Sequence, residues 1–137
     1  MKARNIMSSN VVTVSSTAPI PEVARVLVER GFTSVPVVDD DDGRLVGIVS
    51  EADLLRGWGM TSPTPGHRSG RTAADVMTTP VESLAPGADA SALVALMIDE
   101  RVRCIPITEG LGVVGVITLR DLLRTLILDA PGGDLRP

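Results

Sequence analysis

Aromatic side chains are nearly missing from this chain: Phe32 and Trp58 are present, and tyrosine is absent from all 137 residues. The core must therefore be assembled from Val, Leu, Ile and Ala, and no run of rings exists on which single-stranded nucleic acid could stack its bases. Phe32 and Trp58 read as packing residues. Cysteine occurs once, at Cys104, and histidine once, at His67. A single cysteine excludes an internal disulfide and favours a reducing compartment. A single histidine leaves no acid–base pair or metal cluster built on imidazole, and no phosphate-binding loop is visible, so an enzyme is not expected. Positive charge is not in excess either: 13 basic side chains stand against 17 acidic ones, a net charge of −4. That balance gives no electrostatic footprint for nucleic acid or an anionic membrane. No apolar run approaches the roughly 18 residues of a membrane-spanning helix, and Met1-Lys2-Ala3-Arg4 is not followed by a signal-peptide core. The expected location is cytoplasmic.

What the chain does have is 44% hydrophobic residues and a pattern stated twice. Ile6-Met7 recurs as Val76-Met77, Val11 as Val81, Ala18 as Ala88 and Val35-Pro36 as Ile105-Pro106, all 70 residues apart. Past a turn two residues shorter in the second copy, the offset is 68: Val46-Gly47-Ile48-Val49-Ser50 matches Val114-Gly115-Val116-Ile117-Thr118, and Asp53-Leu54-Leu55-Arg56 matches Asp121-Leu122-Leu123-Arg124. Either half alone, at roughly 50 to 60 residues, is marginal as a core, so the copies are expected to cover each other's apolar faces.

Within the first copy, Val11-Val12-Thr13-Val14 reads as a short strand. Pro19 and Pro21 suit the first turn of a helix whose stripe is Ile20, Val23, Ala24 and Leu27, and Gly31 is placed to end it. Val35 to Val38 and Leu45 to Val49 form a hairpin across the polar turn Asp39 to Gly43, and a helix follows Ser50 toward Trp58. The second copy repeats the order: a strand at Val81 to Leu84, a helix with stripe Ala90, Leu93, Val94 and Met97, a hairpin of Cys104 to Thr108 with Val113 to Ile117, and a final helix from Leu119 to Leu128. Gly57 to Thr72 has the composition of a mobile connector, and the tail after Ala130 that of a frayed end.

In this order and in duplicate, these residues resemble the cystathionine-β-synthase (CBS) domain pair. The marks are an apolar residue before Pro36 and Pro106, strands containing Gly47 and Gly115, and Ser/Thr-x-x-Asp followed by two apolar residues. The resemblance implies an α+β fold of the α/β sandwich type. It is built from tandem motifs, each strand-helix-strand-strand-helix, packed with pseudo-twofold symmetry. Motif 1 covers 4–56, the connector 57–72, motif 2 73–128 and the tail 129–137. It also implies a stand-alone regulatory module.

Ser50-Glu51-Ala52-Asp53 and Thr118-Leu119-Arg120-Asp121 carry two readings. As capping boxes they satisfy two orphan amides reciprocally. As a ligand site, the helix start and hydroxyl take a phosphate while the carboxylate accepts both hydroxyls of a ribose. In the resembling family this motif faces strands of the other copy. Carried over, Ser50 and Asp53 form a cleft with Val81, Glu82, Arg103, Cys104 and Pro106, and Thr118 and Asp121 form one with Val11, Val12, Thr33, Ser34 and Pro36. Arg103 offers the first cleft a cation for phosphate or is a surface charge, whereas Thr33 and Ser34 offer the second neutral hydrogen bonds. Glu82 opposes phosphate unless it points outward. Asp39 to Asp42 lacks the spacing of a calcium loop and reads as a solvated turn, Cys104 as a small buried thiol, and His67 as a linker residue.

The leading expectation is a sensor of adenosine-type ligands (AMP, ADP, ATP, S-adenosylmethionine, NAD or a cyclic dinucleotide) that modulates a target protein absent from this sequence, with no obligatory cofactor. The alternative is a scaffold that binds no nucleotide and dimerises through helical stripes such as Ile98 and Val102, or Leu122 and Leu126. A homodimer is expected under either reading.

Overall fold

The structure is a computed structural model that describes residues 1–8, 10–58 and 71–128. Most of the connector, with His67, and the tail from residue 129 lie outside the described residues. In chain order the elements are α1 (Ala3–Ile6), β1 (Val14–Ser15), α2 (Ile20–Arg30), β2 (Ser34–Val38), β3 (Leu45–Ser50), α3 (Glu51–Gly57), α4 (Ala73–Val76), α5 (Ala90–Asp99), β4 (Cys104–Glu109), β5 (Gly112–Thr118) and α6 (Leu119–Leu128). They divide between two compact units: Val12–Val81, and Met1–Val11 with Glu82–Pro137, each over its described residues.

In the first unit, Pro19 and Pro21 start α2 where amide hydrogens have no intrahelical partner, so their absence costs nothing. Gly31 stops it in the left-handed conformation, φ 69°, with its N–H donating to the Leu27 and Val28 carbonyls. The stripe Ile20, Val23 and Leu27 is buried against Val35, Val37, Val49 and Leu54. The sheet order is β1-β2-β3, with β1 parallel and β3 antiparallel to β2. In the second unit, β4 and β5 form an antiparallel pair, and Leu93 and Met97 of α5 pack with Ile105, Ile107, Ile117 and Leu122. Register shifts between Val37 and Val38 and between Ile107 and Thr108, leaving Val46 and Val114 as the extra residues opposite. The repeated Val-Gly pair is thus a repeated bulge.

The opening strands are shorter than the sequence predicts. Instead of Val11 to Val14, the first copy pairs Val14–Ser15, and in place of Val81 to Leu84 the second retains one parallel bridge, Leu84 to Ile107. The two copies differ for a covalent reason. The Ser16 amide donates to the Val38 carbonyl at 2.9 Å and carries the first ladder onward. Pro86 occupies the matching place and has no N–H to donate, so the second ladder stops.

The short helices α1 and α4 are not anticipated by hydrophobic periodicity, because four residues make about one turn. Each belongs to the unit built on the other copy. Ala73 and Ala74 donate to the Ala18 and Ser16 carbonyls at 2.9 Å, and Thr78 pairs with Ile48 through bonds of 2.8 and 3.1 Å. Correspondingly, Ala3 and Arg4 donate to the Ala88 and Pro86 carbonyls at 2.8 and 2.9 Å, and Ser8 pairs with Val116. Met77 lies across Gly47 and Met7 across Gly115, so closely that a Cβ at either glycine would overlap the methionine side chain. Ala73 and Ala3 are fully buried, each completing a core begun by distant residues. A repeat and a compact unit are therefore different sets of residues.

Candidate functional site

Strands β3 and β5 each end on a hydroxyl residue that starts the next helix. Ser50 is extended, φ −103° and ψ 169°, which turns its side chain toward the first-turn amides. Asp53 N–H donates to Ser50 Oγ at 3.1 Å and Ser50 N–H to Asp53 Oδ2 at 2.9 Å. Thr118 and Asp121 repeat the pair at 3.2 and 2.9 Å. Both capping boxes are formed, so one oxygen of each carboxylate is engaged by its own helix start.

The remaining bonds distinguish the two. Arg56 Nη2 donates to Asp53 Oδ1 at 2.5 Å, and the Thr78 hydroxyl donates across Oδ2 and Oδ1 at 3.2 and 3.5 Å. The Asp53 side chain is 6% exposed. Asp121 has Arg124 Nη1 at 3.5 Å from Oδ1, and its side chain is 23% exposed. Thr78 was not a candidate from sequence, although a signal existed: Ser8 and Thr78 stand 70 residues apart, each directly after the repeated methionine. Among the described residues the Ser8 hydroxyl makes no hydrogen bond to Asp121, and Ser8 contributes its backbone alone.

Of the other expected site residues, Val12, Thr33, Ser34, Pro36 and Val81 lie in the first unit with Ser50 and Asp53. The Thr33 carbonyl accepts the Glu51 amide at 3.0 Å and Ser34 lies opposite Ser50, which brings Thr33 and Ser34 to the start of α3. Val11, Glu82, Arg103, Cys104 and Pro106 lie in the second unit with Thr118 and Asp121. There the Arg103 carbonyl accepts the Leu119 amide at 3.0 Å and Cys104 lies opposite Thr118. An exposed arginine thus stands at the start of α6 where the other copy has a threonine. Pro36, Pro106 and Cys104 are buried, Val11, Val12 and Val81 half-buried, and Glu82 exposed.

The acidic turn is exposed, as expected, and carboxylates in it are hydrogen-bonded within the turn and to the first strand. Ser15 and Thr17 donate their hydroxyls to Asp40, which holds its carboxyl below the ordinary value, the Ser15 bond having the larger effect. Asp39 and Asp42 accept the Asp41 and Arg44 amides at 2.8 and 2.9 Å. Among the described residues no group of three or more His, Cys, Asp or Glu side chains is placed to hold a metal ion, and no helix is long and apolar enough to cross a membrane.

The family model of the CBS domain matches residues 3–58 and again 73–128. The uncharacterized protein YlbB of Bacillus subtilis is 30% identical over 122 residues, 88% of this chain and 79% of that protein. Some longer curated relatives are spanned over as little as 23% of their length. The CBS domain pair of MJ0100, solved in complex with 5′-methylthioadenosine and S-adenosyl-L-methionine, superposes with a TM-score of 0.78 at 23% identity over 92% of this chain and 95% of that one. CBSX2 in complex with AMP gives 0.77 at 22% identity, covering 90% and 94%. At these identities the solved structures establish the fold, and the mixed helix-and-sheet units agree with it. With both repeats matched by one family model and their hairpins, glycines and capping boxes in register, the chain belongs to the CBS domain family and carries the motif as a tandem pair.

Proposed function

We propose that this chain is a regulatory sensor of adenosine-type ligands, with one site centred on Ser50 and Asp53 and another on Thr118 and Asp121. The observation that carries this reading is the duplicated hydroxyl-x-x-Asp box at a helix start. It sets a carboxylate, the natural acceptor for a vicinal diol, beside first-turn amides suited to anions. That MJ0100 and CBSX2 were solved with 5′-methylthioadenosine, S-adenosyl-L-methionine and AMP supports the ligand class. CBS domains are regulatory modules, and ligand occupancy here biases a conformational or assembly equilibrium of a target protein through its differential affinity for two states.

The test is a thermal-shift screen of the full chain with AMP, ADP, ATP, S-adenosylmethionine, NAD and cyclic dinucleotides. A ligand present at 100 times its Kd stabilises the native state by about 2.7 kcal/mol. No shift with any of them would leave the scaffold reading.

A specific feature favours self-association under either reading. Leu119, Leu123, Leu126 and Ile127 of α6 are exposed at helical spacing, whereas Leu122 turns inward to the core and Val102 packs against it. The stripe expected at Leu122 and Leu126 is therefore shifted around the helix. We propose a homodimer through this face. Leu123→Glu with Leu126→Glu is expected to convert it to monomer in analytical ultracentrifugation, with the far-ultraviolet circular dichroism retained.

A further inference from the structure

The two carboxylates differ in what they have left to offer. A carboxylate has about four lone-pair positions. Asp53 spends Oδ2 on the Ser50 amide and the Thr78 hydroxyl, and Oδ1 on Arg56 with a second, longer approach of Thr78. Its diol-binding edge is thus occupied by the protein itself. Asp121 spends Oδ2 on the Thr118 amide and has the Arg124 guanidinium at 3.5 Å from Oδ1. The residue placed like Thr78 is Ser8, whose hydroxyl makes no hydrogen bond among the described residues.

The two flanking arginines are comparably exposed, at 62% and 61% of their side chains. An arginine three residues on is common to both carboxylates, so its presence does not by itself set them apart. Thr78 is different, because its backbone is fixed to Ile48 by bonds in both directions and its hydroxyl is held over the carboxylate. At the other site the arriving diol finds acceptor positions open and the exposed Arg103 anchored by its carbonyl at the same helix start.

We infer that Thr78 is a positioning residue that closes the Asp53 carboxylate, so that a ligand bearing a vicinal diol engages Asp121 first and Asp53 only after the Thr78 hydroxyl is displaced. The inference rests on the adenosine reading above and assigns the order in which its two sites fill. It makes the pair a graded sensor: Asp121 responds at low ligand concentration, and Asp53 at a concentration raised by the free energy of breaking the Thr78 bond.

Calorimetric titration of the full chain tests the order, with AMP and S-adenosylmethionine as probes and 2′-deoxy-AMP as the diol control. The wild type is expected to take one equivalent in a first step. Asp121→Asn weakens that step by at least about tenfold, the loss expected for hydrogen bonds to a charged group, and Asp53→Asn removes the second step. Thr78→Val keeps the shape, removes the donor and brings the second equivalent to the affinity of the first, whereas Thr78→Ser restores wild-type titration. That rescue separates the hydroxyl from a packing effect. Two equal equivalents in the wild type, a first step weakened equally by both Asn variants, or one equivalent retained in Thr78→Val overturns the assignment and leaves the adenosine reading intact. Failure of the folded wild type to bind these probes or any other ligand of the thermal-shift panel overturns that reading and this inference with it.

Discussion

Ser50–Asp53 and Thr118–Asp121 are the same four-residue box at the same place in two repeats, yet one carboxylate is enclosed and the other open. The capping bonds are alike to within 0.1 Å. What separates them arrives from outside the box, from the segment after Met77 in one unit and after Met7 in the other. A helix-start motif thus fixes where a carboxylate stands, while a distant residue decides whether it is free. The number of carboxylates with open acceptor positions cannot be counted from motifs alone.

The largest effect should come from removing the two carboxylates. Asp53→Ala leaves the Ser50 amide, the Thr78 hydroxyl and Arg56 without their acceptor and is expected to destabilise by about 3 kcal/mol, against about 1 kcal/mol for Asp121→Ala, in urea denaturation. Equal losses would erase the distinction between the sites. Glycine substitution sharpens the comparison from the other side, because the glycine–methionine contact is common to both units. Gly47→Ala and Gly115→Ala should each cost about 1–3 kcal/mol through overpacking, by similar amounts. Trimming the facing Met77 or Met7 to Ala should recover part of it.

The smallest expected effect concerns acid. Each unit has an exposed carboxyl held below the ordinary value of 3.8: Asp40 by the Ser15 and Thr17 hydroxyls, Asp89 first by its hydrogen bond from Lys2 and then by that lysine's charge. A depressed folded pKa contributes stability that is present above the unfolded value and lost as pH falls through the folded one. Asp40→Asn and Asp89→Asn should each flatten the decline in melting temperature below about pH 4. Added salt should weaken the Lys2–Asp89 contribution, an exposed ion pair, and leave the hydroxyl-based one at Asp40 nearly unchanged.

Much of this architecture was legible because the chemistry is local. Pro19, Pro21 and Gly31 bracket α2, the apolar runs beside Pro36 and Pro106 are the first strands of the two hairpins, and α6 occupies the predicted span from Leu119 to Leu128. The capping boxes could be read for the same reason. The misread parts depend on neighbours distant in sequence. The second parallel ladder stops after Leu84, where Pro86 has no amide to offer the opposite strand, and Leu122 rather than Leu123 faces the core because of how α6 lies on its unit. Thr78 reaches Asp53 across 25 residues, a separation at which periodicity carries no information.

The exchange of α1 and α4 between the two copies gives the chain an order of assembly. On a ribosome delivering residues from the amino end, the unit built on the first copy waits for Ala73 and Met77 before its interior can close. The other unit has Ala3 and Met7 ready before its hairpin is made. Cutting the chain at the connector would separate each hairpin from the methionine that covers it, so the halves are expected to fail as independent proteins and to regain structure when mixed.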